Sequence, residues 1–393
     1  MNLALRTKES DDIMKYNRIT IAGIGALCML AAACAPAETG ESTDAPQTLK
    51  DAYADHFFVG SALNARQFTG QDELGVSVTA THFNTITPEN QLKWQLIHPE
   101  PGRFAFELPD QYVAFGEEHD MAIIGHTLVW HSQTPRWVFE DGNGNPASRD
   151  TLIARMRNHI HTVVGRYSGR IRGWDVVNEA LNEDGSLRQS PWMRIIGEDY
   201  LAMAFQFARE ADPEAELYYN DYSLPNPAKR DGAVRLIRNL QEAGAPVTGI
   251  GMQGHYNLTG PSIEQIDDAL SAFSELGIDI MFTEVDIDVL PRTPQSEGAE
   301  ISNRAEGSDE LNPYAEGLPD MVQQELAERY ADLFRLFLNY DDKITRVTFW
   351  GVTDGDSWKN NWPIQGRTNH PLLFDREGLP KPAFDAVMEL VID

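Results

Sequence analysis

The sequence predicts an α/β fold, a single (β/α)8 TIM barrel over residues 49–393. Three observations point there. Eight extended apolar segments alternate with helical stretches, the pattern of a parallel sheet built from βα units. The helical stretches carry apolar residues at a 3.6-residue period. Polar residues and tryptophans stand at the C-terminal ends of seven of the eight segments, the end at which a barrel gathers its functional loops.

Taken in order, the extended segments are Phe57–Leu63, Phe83–Glu89, Met121–His126, Arg172–Asn178, Glu216–Asp221, Val247–Gly254, Ile278–Glu284 and Thr345–Trp350. Between them, Leu152, Met156, Ile160, Val163 and Tyr167 mark one helix face, and Leu326, Tyr330, Leu333 and Phe337 mark another. Ser262-Ile-Glu-Gln265 is a capping box, whose hydroxyl and amide satisfy the free backbone donors of a helix start. The helix it opens has Ile263, Ile266, Leu270 and Phe273 on its apolar face, and Gly277 ends it. Two segments break the rhythm. Arg292–Pro319, polar and Glu-rich, follows the seventh strand, and Thr353–Pro371, rich in Trp, Asn and Gly, follows the eighth. Loops of this length are usually functional.

A length of 393 residues leaves room for two or three average domains, but the surplus lies at the amino terminus. Lys15 to Arg18 supply positive charge ahead of an apolar run from Ile19 to Ala33 that is too short for a comfortable membrane span. Residues 1–33 therefore read as a secretory signal peptide with an upstream extension, and Met14 makes the more conventional start. Leu30-Ala-Ala-Ala-Cys34 resembles a bacterial lipobox, with Ala31 where leucine is usual. The expectation is export from a bacterial cell, with ordinary cleavage or a lipid on Cys34 as alternatives. The product would be periplasmic, secreted or anchored to the envelope. Residues 34–48 form a flexible tether of Ala, Pro, Glu, Ser and Thr.

Composition narrows the function. Acidic residues outnumber basic ones 60 to 32, a net charge of −28, so no nucleic acid is expected as a partner, because phosphates must be met by clustered Lys and Arg. Attraction to anionic lipid is disfavoured equally. Both cysteines, Cys28 and Cys34, fall in the amino-terminal segment, which excludes a disulfide framework and a cysteine metal cluster. The pair His126 and His131 lacks the acidic companions of a metalloenzyme, and no metal, cofactor or partner protein is implied.

The strand ends are more informative. Thr87-Pro-Glu-Asn-Gln-Leu-Lys-Trp94, Gly125-His-Thr-Leu-Val-Trp-His131, Trp174-Asp-Val-Val-Asn-Glu179, Asn220-Asp-Tyr222, Met252-Gln-Gly-His255, Thr283-Glu-Val-Asp286 and Trp350-Gly-Val-Thr-Asp354 converge on one barrel mouth. Amides, carboxylates and indoles together suit a neutral polyhydroxylated ligand, since indole faces pack on sugar C–H groups while amides take hydroxyls. Glu179 and Glu284 end the fourth and seventh strands and face each other across the mouth. Glycosidic hydrolysis needs two such carboxyls, one to protonate the leaving oxygen and one to attack or to activate water.

At this point a resemblance becomes specific. Trp174–Glu179 and Asp279-Ile-Met-Phe-Thr-Glu-Val-Asp286 resemble the two signature segments of glycoside hydrolase family 10, the endo-β-1,4-xylanases. Thr87-Pro-Glu-Asn90, His126–His131, Gln253-Gly-His255 and Trp350–Asp354 are similar to other hallmarks of that family, in the same order, and the resemblance runs from about Leu49 to the C-terminus. It implies that Glu179 is the acid/base and Glu284 the nucleophile of a retaining reaction through a glycosyl–enzyme intermediate. It further implies that Asn178 holds the 2-hydroxyl at the cleavage point, and that His255 and Asp286 form a chain behind Glu284. Glu89, Asn90, Lys93, His126, Trp130 and Gln253 would build the non-reducing side of the cleft. Trp350 and Trp358 would cover the two sugars beside the cut, and Tyr222 and Asn220 would line the leaving-group side.

The implied substrates are xylan and xylo-oligosaccharides. Two alternatives stay open on sequence: a non-catalytic xylan-binding barrel, which could lose either glutamate freely, and a related retaining β-glycanase acting on short oligosaccharides. Asp175 reads as a carboxylate that supports the end of the fourth strand. Unlike many relatives, the loop after the seventh strand carries no cysteine pair.

Overall fold

Short runs of buried β-branched and aromatic residues close into a parallel barrel with helices between the strands. In the computed structural model, the residues described are 47–294 and 299–391. The expected signal peptide, Cys28, Cys34 and nearly all of the tether lie outside them. The strands are β1 (Phe58–Leu63), β2 (Thr85–Pro88), β3 (Ala122–Trp130), β4 (Gly173–Asn178), β5 (Glu216–Asp221), β6 (Gly249–Met252), β7 (His255–Asn257), β8 (Asp279–Asp288) and β9 (Ile344–Phe349). The hydrogen-bonded order runs from β6 through β1 to β9 and β8, and β6 pairs with β8 to close the ring.

Eight strand positions are thus present, but the sixth is broken. Gln253 and Gly254 interrupt it, and Gly254 adopts a φ of 83°, a left-handed conformation that glycine reaches without penalty. The second piece, β7, pairs with the outer part of β8. Three further strands differ from the sequence reading at their ends: β2 is shorter than Phe83–Glu89, while β3 continues past His126 to Trp130 and β8 past Glu284 to Asp288.

Both extensions contain register shifts. In β8, Phe282 is level with Met252 and Val347, whereas Asp286 is level with His255 and Val285 with Phe349. One extra residue has therefore been inserted around Thr283–Glu284. In β3, His126 is level with Asp175 but Val129 with Val177; in β4, Asp175 is level with Tyr218 but Val177 with Tyr219. Side chains alternate along a strand, so one inserted residue re-aims everything that follows. All three insertions fall just before the polar strand ends.

The helical layer follows the apolar periodicity. The helix Arg149–Arg166 buries Leu152, Met156, Ile160 and Val163, and Asp320–Leu338 buries Leu326, Tyr330, Leu333 and Phe337. Ser262 and Gln265 form the reciprocal cap at the start of Ile263–Ser274, with bonds of 3.2 and 2.9 Å. One close approach fixes the β3–β4 seam: Gly125 stands level with Trp174, and a Cβ there would sit 2.1 Å from the indole.

Candidate active site

Glu179 follows the last residue of β4 with a φ of 56°, a left-handed conformation that costs a non-glycine residue roughly 1 kcal/mol or more. The surroundings hold it there: its N–H donates to the Asn220 carbonyl at 2.9 Å, and its own carbonyl accepts from Arg188 Nε at 3.1 Å. The side chain is 5% exposed. Trp130 Nε1 donates to Oε2 at 2.7 Å and Gln253 Nε2 to Oε1 at 3.0 Å. Burial disfavours the charged form and raises the carboxyl above its usual range, with Asp221 adding to the rise; His131 and the two hydrogen bonds act against it.

Glu284 sits on the re-aimed part of β8. Asn220 Nδ2 donates to its Oε1 at 2.9 Å, and His255 Nε2 lies 3.2 Å from its Oε2. His255 Nδ1 in turn lies 2.9 Å from Asp286 Oδ2. Burial opposes ionisation of Glu284, yet the bond from His255 and the nearby His126, His255 and Lys93 outweigh it, and the carboxyl falls below its ordinary range. Burial likewise pulls the His255 imidazole down, but Asp286 and Glu284 overcome that and push it up to about 9. Asp286 also accepts from Trp358 Nε1 at 2.8 Å and has Lys359 Nζ at 3.5 Å. The relay is therefore tied to the loop after β9.

The two carboxyls share a cavity of about 140 Å³ with Glu89, Asn90, Lys93, His126, Trp130, Asn178, Gln253, His255, Trp350 and Trp358. Lys93 is 3.2 Å from Asn90 Oδ1, and its ammonium stands over the faces of Trp130 and Trp350 at 5.1 and 6.0 Å. His126 Nδ1 is 2.8 Å from Asp175 Oδ2, which gives Asp175 the supporting position read from sequence.

Two residues are placed otherwise than expected. Asn220 is fully buried and lines no cavity wall; its amide spans Asn178 Oδ1 at 3.0 Å and Glu284, while its oxygen accepts from Thr283 at 2.6 Å. It holds the carboxylate from behind, because the inserted residues in β4 and β8 turn both partners toward it. Tyr222 is 5% exposed, with its hydroxyl 2.9 Å from Arg188 Nη2 and its ring under Lys229 Nζ at 3.6 Å. The space on that side is instead a polar cavity of about 370 Å³ lined by Ser223, Asn226, Tyr256, Asn257, Arg292 and Lys359, adjoining the first through His255.

The fold, the mouth and the paired carboxyls can be set beside known proteins. Residues 48–390 match the model of Glycosyl hydrolase family 10. The chain belongs to that family. Within family 10 it is 45% identical over 343 residues to the endo-1,4-beta-xylanase A of Xylanibacter ruminicola, covering 87% of this chain and 93% of that one. It is 40% identical to the endo-1,4-beta-xylanase of Geobacillus stearothermophilus, over 87% and 98% of the two chains. A family 10 endoxylanase retrieved from a sugarcane soil metagenome superposes with a TM-score of 0.84 at 44% identity, over 88% of this chain and all of that one.

Sequence reasoning missed several residues that this family 10 site contains. Gln133, Ala299 and Ile301 line the smaller cavity, and Arg188 links Glu179, Tyr222 and Glu300. Lys359 had a findable signal, since it adjoins Trp358. Ala299 and Ile301 had none, because nothing in a polar loop says which of its residues folds back over the mouth.

Proposed function

We propose that the cleft hydrolyses internal β-1,4-xylosidic bonds of xylan and xylo-oligosaccharides with retention, Glu284 serving as nucleophile and Glu179 as acid/base. The observation that carries this reading is the opposed tuning of two buried carboxyls in one cavity. Burial pushes the Glu179 carboxyl above its usual range, while the His255–Asp286 relay holds that of Glu284 below it. Glu179 gives its proton to the leaving oxygen as Glu284 bonds to the anomeric carbon. Esterification of Glu284 removes a neighbouring negative charge, so Glu179 can then accept a proton from the attacking water. Asn178 is placed to hold the 2-hydroxyl, and Glu89, Asn90 and Lys93 to grip the sugars on the non-reducing side through charge-assisted bonds. The indoles of Trp350 and Trp358 close the wall where a hydroxymethyl arm would need room, which favours xylose over glucose. The larger polar cavity takes the leaving-group sugars, the role first expected of Tyr222 and Asn220.

The test is proton NMR of the anomers released from β-1,4-xylan. Product appearing first as the β-anomer is expected; α-product first would refute a covalent glycosyl–enzyme, and binding without any product would refute catalysis. Residues 1–33 are proposed to direct export, and the mature amino terminus, read by intact-mass analysis, distinguishes ordinary cleavage from a lipid on Cys34.

A further inference from the structure

Ala299 and Ile301 line the smaller cavity although they belong to the loop that leaves β8. Glu300, between them, reaches to the far rim. Its Oε2 is 3.1 Å from Arg188 Nη1, in the loop after β4, and 3.6 Å from His131 Nε2, in the loop after β3. Its backbone carbonyl accepts from Trp362 Nε1 at 3.2 Å, and the Ala305 N–H donates to the Pro363 carbonyl at 3.0 Å, both in the loop after β9. Among the eight strand positions of the ring, β8 stands opposite β3, and β9 opposite β4. This strap, residues 299–301, is therefore tied to the rim opposite the strand it leaves. Two cavities open at the mouth, and residues of the strap line the smaller one. One holds Glu89 and Lys93 from the β2 side, the other Asn226 and Asn257 from the β5 and β7 side, and they meet at His255. Ala299 and Ile301 share the smaller cavity with Glu179 and Glu284, so a sugar chain bound there lies against the strap.

We propose that Glu300 is a specificity-determining latch whose ion pair with Arg188 and contact with His131 hold residues 299–301 over the bound sugar chain. Short xylo-oligosaccharides slide in end-on beneath a closed strap, whereas an internal bond of a long polymer is reached only when the latch opens. The latch is built to remain charged: His131 and the Ser302 bonds pull the Glu300 carboxyl down to about 2, against the opposing effect of burial. It is also light enough to open, because both Glu300 and Arg188 keep part of their surface in solvent. Arg188 retains its bonds to the Glu179 carbonyl and the Tyr222 hydroxyl when Glu300 lets go, so opening leaves the acid in place.

The proposal rests on the xylanase reading, and one experiment separates the two. kcat/KM is measured on xylotetraose and on long soluble xylan for the wild type, Glu300→Gln and Glu300→Ala. The polymer-to-oligosaccharide ratio should rise in that order, by about three- to tenfold in the alanine variant, the scale of one partly exposed ion pair. The rise should come through KM for polymer, with kcat on xylotetraose within about twofold of wild type. Salt raised to about 0.5 M should increase the wild-type ratio and leave that of Glu300→Ala unchanged, since it screens a pair that only the wild type has. An unchanged ratio in both variants, or a parallel loss on both substrates, would overturn the latch. A wild type inert toward every β-1,4-xylo-substrate would overturn the activity itself.

Discussion

Asp286 stands behind the wall of the smaller cavity, bonded to Trp358 and His255, and acts on the ionisation of Glu284 through His255. Replacing it with asparagine removes the charge that keeps the imidazole protonated, and a neutral imidazole no longer offsets the burial of Glu284. In its proposed role as nucleophile Glu284 works only as a carboxylate, and its affinity for protons rises, so activity on the acid side is lost at higher pH. The acid limb of kcat/KM against pH should therefore move upward in Asp286→Asn. The alkaline limb, which the proposed acid role of Glu179 assigns to loss of its proton, should stay in place; a shift of both limbs or neither would contradict the relay. Residues of this kind were legible because each closes a strand next to a motif. Asn220 was legible as a site residue but not in its position, since a strand-end amide reads the same whether it faces ligand or carboxylate.

The strands explain why that distinction failed. A period-two reading assigns faces correctly only while the register is regular, and β3, β4 and β8 each carry an inserted residue where the chemistry begins. Eight strand positions and the main helices could be read from apolar periodicity, because burial against a common core enforces it. The break at Gln253-Gly254 and the outer halves of β3 and β8 could not, because they depend on hydrogen bonds between strands far apart in sequence. The β3–β4 seam offers a direct test. In Gly125→Ala the new methyl collides with the Trp174 ring, which is fully buried and has no room to retreat. Unfolding in urea should show a loss of about 2 kcal/mol or more, in the range of overpacked cores. Retained stability would mean that the seam is looser than its geometry.

Across the whole molecule, the buried cation of Lys381 helps fasten the C-terminal stretch to the rim, alongside the bonds of Arg376 to Asn360 and the Asn369 carbonyl. Lys381 Nζ lies 2.9 Å from Asp354 Oδ2 and donates to the His370 and Leu372 carbonyls at 2.8 Å each. Lys381→Met removes the charge and strands a fully buried carboxylate, a loss of about 3–5 kcal/mol. Thermal unfolding should report it, while the double variant Lys381→Met/Asp354→Asn should recover part of the loss. The net charge of −28 places a field of one sign around a cleft whose ligand is uncharged, so it concerns solubility rather than capture.

Three strand insertions cluster beneath the mouth, where they aim the side chains of β3, β4 and β8, apart from a further register shift near the floor between Ile280 and Met281. The smallest possible indel tests this aiming. Removing one residue between Phe282 and Val285 would let β8 run on in register with both neighbours, keep its ladder and swing Glu284 off the cavity. Such a deletion re-aims Asp286 as well as Glu284, and hydrolysis of xylan should be lost while the walls built by β2 and β3 keep their places.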